Sequence, residues 1–365
     1  MTGSIKNFYV GGNTAHGFVS LMESSLQGLE RLFILEGTPR SGKSDLIRTI
    51  GDQLVSAGYD IWNMHCASDN SALDGMVVPL LKVGIIVGTD RYVIEPLLPE
   101  VEVQYVNVGE ACHLDQLITQ QGSINQLNEQ ISQTYQQAYA GFAEALRIHD
   151  EWEALYIANM DFQEANVLTT EMIHMFYGDR KLEKESRVDH RFLGAATPQG
   201  AKDCVPNLTE GLKRYLIKGR PGSGKSTMLK KIAAAGTERG YDVEIYHCGF
   251  DPNSLDMVIV RDLNFAIFDS TAPHEYFPEG GTDEIVDMYS RCIQPDTDEK
   301  LAEAINPIKE RYAAQMKRSI QFLTDAKSLQ DQLDEIYAPS IDFSLIDSLK
   351  DEIRREIIDI AAVCD

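Results

Sequence analysis

No apolar run in the 365-residue chain approaches the ~20 residues that a membrane-spanning helix needs, which excludes an anchor of that kind. The opening MTGSIKNFYVGG lacks the basic, apolar and small-residue succession of a secretory signal, so the sequence predicts a cytoplasmic protein with no membrane partner. Cysteine is sparse: Cys66, Cys112, Cys204, Cys248, Cys292 and Cys364 form no CxxC pair and no Cys/His ligand ladder, which argues for reduced thiols and against a zinc ribbon or disulfide framework. Basic residues are also short, 33 Lys and Arg against 56 Asp and Glu. The net charge of −23 opposes binding to phosphate backbones, and no nucleic-acid partner is expected.

What is present is a duplication. The length exceeds the ~250–300 residues at which a single core stops growing, and shifting the chain on itself by 182 positions brings two halves into register. Gly37 meets Gly219, Pro39 meets Pro221, and Ser41-Gly42-Lys43-Ser44 meets Ser223-Gly224-Lys225-Ser226. Farther along, Ile50 meets Ile232, Gly58-Tyr59-Asp60 meets Gly240-Tyr241-Asp242, His65-Cys66 meets His247-Cys248, and Leu73-Asp74 meets Leu255-Asp256. With a one-residue displacement, Tyr156 and Asp161-Phe162 face Tyr337 and Asp342-Phe343. The polar stretch GDRKLEKESR (178–187) separates the copies, giving domains at 1–182 and 188–365.

Each copy ends in a Gln-, Glu-, Ala- and Leu-rich segment, about 115–177 and 296–362. Apolar residues recur there at helical spacing, as at Leu127, Ile131, Tyr135, Ala138 and Phe142. These read as helical hairpins packed on their own domain or on each other, with a protein-binding surface as the alternative.

The sharpest motif is the glycine loop. In the second copy the apolar run Tyr215-Leu216-Ile217 leads into GRPGSGKS (219–226) and then a helical TMLKKIAAAG; the first copy repeats this as LFIL, GTPRSGKS (37–44) and DLIRTIGDQL. A strand, a GxxxxGK[ST] loop and a helix form the phosphate-binding P-loop, in which glycines turn successive N–H groups inward at the positive end of the helix. The spacing assigns nucleotide contacts to Gly37, Ser41, Gly42, Lys43 and Ser44 in the first copy. In the second it assigns them to Gly219, Gly222, Ser223, Gly224, Lys225, Ser226 and Thr227, with Lys225 on the β- and γ-phosphates. Mg²⁺ falls to Ser226, more weakly to Ser44, and to a carboxylate at a strand end. LNFAIFDSTAPH (263–274) supplies Asp269, whereas the aligned VGIIVGTDRY (83–92) has Val87, with Asp90 the nearest acid. The expectation is that the second site is catalytic and the first binds nucleotide but hydrolyses it poorly.

Both copies also carry HCxxDxxxLD (65–74 and 247–256) after a strand, which places His247, Asp251 and Asp256 toward a ligand crevice. Asp251 is the catalytic candidate; its plainer reading, before Pro252, is a turn cap. Pro273 and His274 follow Asp269 where the first copy has Arg91 and Tyr92.

With GTPRSGKS, GRPGSGKS, HCGFDPNSLD and FDSTAPHEYFP together, the sequence resembles a bacterial family of tandem P-loop ATPase-like proteins. The resemblance implies an α/β fold of two tandem P-loop NTPase domains, each a parallel sheet flanked by helices, and ATP binding and hydrolysis carried onto Gly219 to Ser226 and Asp269. There is no NKxD or TKxD guanine-reading motif and no LSGGQ-like signature. The leading expectation is therefore a Mg²⁺-dependent ATPase. A small-molecule or nucleotide kinase and a non-hydrolysing, nucleotide-gated binding module are its rivals. Arg40, Arg91, Arg220, Arg261 and Arg291 are all candidates for an arginine supplied to the γ-phosphate.

Overall fold

The computed structural model describes residues 2–37, 42–89, 92, 101–279 and 281–364; Arg40, Ser41, Asp90 and Arg91 lie outside them. In the first half, strands β1 (Ile5–Tyr9), β2 (Arg31–Glu36), β3 (Ile61–His65), β4 (Leu73–Val78), β5 (Val83–Val87) and β6 (Glu102–Asn107) accompany helix α1 (Lys43–Ser56). The long helices α2 (Gln121–Ile157) and α3 (Phe162–Tyr177) follow. The second half repeats the series with β7 (Val188–Phe192), β8 (Lys213–Lys218), α4 (Lys225–Thr237), β9 (Val243–His247), β10 (Leu255–Val260), β11 (Phe265–Asp269) and β12 (Glu284–Asp287). It ends in α5 (Ala302–Tyr337) and α6 (Phe343–Cys364). Residues 178–187, between α3 and β7, contain no helix or strand.

The fold is α/β, built on one 12-stranded sheet in the order β12-β8-β11-β10-β9-β7-β1-β3-β4-β5-β2-β6. That order reads the same from either edge when the copies are exchanged, so the duplicated sequence forms a pseudo-two-fold pair whose axis passes between β7 and β1. Those strands meet antiparallel at Tyr9 and Phe192.

The expected parallel sheet is corrected to a mixed one. β4 runs antiparallel to β3 and β5, and β10 antiparallel to β9 and β11. The reason is chain length: residues 66–72 and 79–82 connect β3, β4 and β5, whereas a parallel crossover takes a dozen residues or more. The loop-bearing strands keep parallel neighbours, β2 between β5 and β6, and β8 between β11 and β12.

The closing helices are exchanged. α2 and α5 lie antiparallel and pack on each other, through Ala138, Phe142 and Leu323 at mid-length. A Cβ on Gly141 would stand 2.3 Å from Ser319 Oγ, so glycine sets that close approach. The shorter helices cross over. Leu168, Met172, Phe176 and Tyr177 of α3 are buried with Tyr215, Leu229, Ile232 and Phe265 of the second half. Ile346, Ile353 and Ile357 of α6 are buried with Leu46, Ile50 and Ile85 of the first. Each half is thus completed by a helix that belongs, in sequence, to the other.

Among the described residues, no helix is long and apolar enough to cross a membrane.

Candidate functional site

The second glycine loop joins the carboxyl end of β8 to α4. Gly222 and Gly224 adopt φ of +74° and +85°, left-handed conformations that only glycine enters without strain. The backbone N–H of Arg220 donates to Ser223 Oγ at 3.2 Å, which ties the loop across its base. Lys225 opens α4, and its Nζ donates to the Arg220 carbonyl at 2.9 Å while standing 3.5 Å from Asp269 Oδ2. Asp269 ends β11, the strand beside β8; its Oδ1 accepts from the backbone N–H and hydroxyl of Thr271, which leaves Oδ2 for Lys225. Ser226 Oγ accepts from the backbone N–H of Leu255 at 2.9 Å, and Ser44 Oγ accepts from Leu73 in the same way.

Lys225, Ser226 and Asp269 share a cavity of about 910 Å³ with Asp256, Asp251 and His274. Asp256 follows Leu255 on β10 and is buried. Burial, followed by the charge of Asp269, pushes its carboxyl up to about 6. His274 is held from behind, with Nδ1 2.8 Å from Asp203 Oδ2, and Tyr276 donates to the other oxygen of that carboxylate at 2.5 Å. Burial favours the neutral ring, but the hydrogen bond to Asp203 and the charges of Asp256, Asp203 and Asp269 outweigh it and raise its pKa. Asp256, Asp269 and Ser226 could hold a divalent cation at this position. His149, Asp150 and Glu153, within 4.8 Å of one another on the opposite wall, form a second group with ligand spacing.

The remaining walls come from elsewhere in the chain. His149, Trp152, Glu153, Tyr156 and Ile157 of α2 face the loop, and a Cβ on Gly222 would lie 2.6 Å from the Glu153 carbonyl. Arg220 forks onto Asp298 Oδ2 at 3.0 and 2.7 Å, and Tyr156 donates to Oδ1 of the same carboxylate at 2.7 Å. Of the other candidate arginines, Arg261 is paired with Glu244 at 2.7 Å and Arg291 with Glu164 and Glu171, and neither lines the cavity.

Asp251 lies on the cavity wall with its carboxylate engaged in a turn, accepting from Asn253 N and Ser254 Oγ at 3.1 and 3.2 Å. His247 is turned away from the cavity. Its Nδ1–H donates to the Pro252 carbonyl at 2.7 Å, which leaves Nε2 to accept from His190 at 2.9 Å, in a separate shallow pocket.

Residues 38–41 of the first loop lie outside the described residues, and the described residues around it depart from the second in their chemistry. Gly37 and Gly42 have φ of +140° and +75°, and Lys43 Nζ donates to the Gly37 carbonyl at 2.8 Å. Val87 ends β5 where Asp269 ends β11. Asp74, the counterpart of Asp256, is buried and accepts a short hydrogen bond from the Tyr92 hydroxyl, and Tyr92 occupies the place of His274. Asp45, the counterpart of Thr227, brings a carboxylate to the first turn of α1, where it competes with any anion for the helix N-terminus.

Sequence spacing brought forward the loop and Asp269 but underweighted Asp256 and missed Asp203 and the α2 wall. Asp256 had left a signal in the repeated Leu-Asp pair. Asp203 and α2 reach the site only through tertiary packing.

Asp256 also makes stability depend on pH. Its folded pKa lies above the ordinary carboxylate value, so folding loses stability as pH rises from about 4 toward 6 and stays lower above that. Asp256→Asn removes this penalty. Thermal melts should show the variant gaining on the wild type between about pH 4 and pH 8, and a pH-independent difference would contradict the assignment.

Compared with known proteins, the chain matches no family model, no curated sequence and no solved structure.

Proposed function

We propose that the chain is a Mg²⁺-dependent nucleoside-triphosphatase built from two tandem P-loop domains, in which the second loop is the catalytic site and the first a degenerate, regulatory one. The observation that carries this reading is the convergence of Lys225, Ser226, Asp256 and Asp269 on one cavity at the carboxyl ends of β8 and β11. ATP is the proposed nucleotide.

In this reading the N–H groups from Gly222 to Ser226 hold the β-phosphate, and Lys225 leaves Asp269 for the γ-phosphate oxygens. A Mg²⁺ held by Ser226 and Asp269 would supply charge neutralisation as negative charge builds on the departing phosphate. Asp256, with its carboxyl near 6, is placed to take the proton of an attacking water as the γ-phosphoryl group departs from ADP. Asp203 orients His274 along the same wall, where it can donate to a phosphate oxygen. Val87, Asp45 and the Tyr92-capped Asp74 withhold the corresponding functions from the first loop.

One observation favours a second reading. The cavity extends past the loop to a cluster of rings, His149, Trp152, Phe250 and Tyr312, with centroids 5.6 to 6.3 Å apart, leaving room for an acceptor molecule beside the nucleotide. A kinase would use Asp256 on an acceptor hydroxyl instead of water.

Calorimetric titration with ATP and Mg²⁺ tests the shared premise. Saturable binding, weakened when Mg²⁺ is chelated, is expected, and no heat or saturation would overturn it. ADP formed with equal inorganic phosphate supports hydrolysis; ADP formed with a phosphorylated acceptor supports the kinase.

A further inference from the structure

Phe162 is 58% exposed and Phe343 is 59% exposed, and the two occupy equivalent places in the duplicated sequence. Each follows an aspartate that caps its helix: Asp161 Oδ1 accepts from Glu164 N at 3.0 Å, and Asp342 Oδ1 accepts from Ser344 N at 2.9 Å. The duplication places the same exposed ring at the start of both exchanged helices.

The location of Phe162 is fixed by its neighbours. α3 runs parallel to α4: Met160, just before α3, lies against Gly224, Asn166 is paired to Lys231 at 2.6 Å, and the Tyr177 hydroxyl would lie 2.6 Å from a Cβ on Gly236. One turn earlier on each helix stand Phe162 and Thr227, and both line the cavity that holds Lys225 and Ser226. The chain just before Phe162 lies on the loop itself, since Met160 Cε would be 2.7 Å from a Cβ on Gly224. With the γ-phosphate against Lys225 and Asp269, as the P-loop reading has it, the nucleoside end would point away from Asp269.

We infer that Phe162 is the stacking platform for the nucleobase of the nucleotide bound at the second loop, so that the first half of the sequence supplies the base site of the second. The inference rests on the P-loop reading above. It assigns the exposed ring an occupant of matching chemistry, a planar aromatic base whose face covers it, and it leaves the phosphates to the loop. Phe343 is the counterpart of Phe162 in the other copy, on the helix whose Ile346 would lie 3.4 Å from a Cβ on Gly42.

The test separates the base from the phosphates. Dissociation constants for ATP and for inorganic tripolyphosphate, both with Mg²⁺, are measured on the full-length wild type, Phe162→Ala, Phe162→Tyr and Lys225→Ala. Expected are about a tenfold loss of ATP affinity in Phe162→Ala, retention in Phe162→Tyr, and unchanged tripolyphosphate affinity in both. Equal ATP affinity in wild type and Phe162→Ala overturns the platform while leaving the loop intact, provided Lys225→Ala still abolishes tripolyphosphate binding. Tripolyphosphate binding that is absent, or indifferent to Lys225→Ala, overturns the P-loop reading and the platform with it.

Discussion

Phe176→Ala is expected to lower the unfolding free energy by about 3–5 kcal/mol, although Phe176 lies within the first copy by sequence and its contacts are in the second. Its ring stacks on Phe265 at 4.1 Å with an interplanar angle of 11° and meets Tyr215 edge-on at 4.8 Å. It is almost fully buried in the core beneath β8 and β11, the two strands that position Lys225 and Asp269. Truncation leaves a cavity between a helix and a sheet that rigid neighbours on both sides keep from collapsing. Urea unfolding checks this: a loss under about 1 kcal/mol would mean that α3 does not close the second half.

Lys225→Ala and Asp269→Asn are each expected to reduce Mg²⁺-dependent phosphate release from ATP by about 10²-fold or more, the scale on which removing one preorganised electrostatic partner acts. In the proposed mechanism Lys225 would follow the charge onto the γ-phosphoryl oxygens, and Asp269 would be the strand-end carboxylate that holds the metal. Lys43→Ala should cost far less. Lys43 reaches the Gly37 carbonyl as Lys225 reaches Arg220, but the strand beside its loop ends in Val87.

Much of this arrangement was legible in the sequence because it is local. The second glycine loop, the strands leading into both loops, the helices after them and the stretch without helix or strand at 178–187 all follow from neighbouring residues, and each stands where the pattern put it. The antiparallel β4 and β10 were legible in principle from the short connections around them, yet the P-loop resemblance suggested a parallel sheet. The exchange of α3 and α6 was not legible. An amphipathic stripe records that a helix buries one face; it does not record against which copy, and duplicated halves offer two equivalent partners. Asp203 is in the same position: it ends a two-stranded hairpin, Gly194–Thr197 paired with Gly200–Asp203, and meets His274 only through tertiary packing.

The assay that bears most directly on the central claim is phosphate release from ATP with Mg²⁺, run side by side on wild type, Lys43→Ala and Lys225→Ala. The account predicts that Lys225→Ala abolishes turnover while Lys43→Ala keeps most of it; equal loss in the two variants, or no turnover in the wild type with or without an acceptor, would contradict a catalytic second loop and a degenerate first.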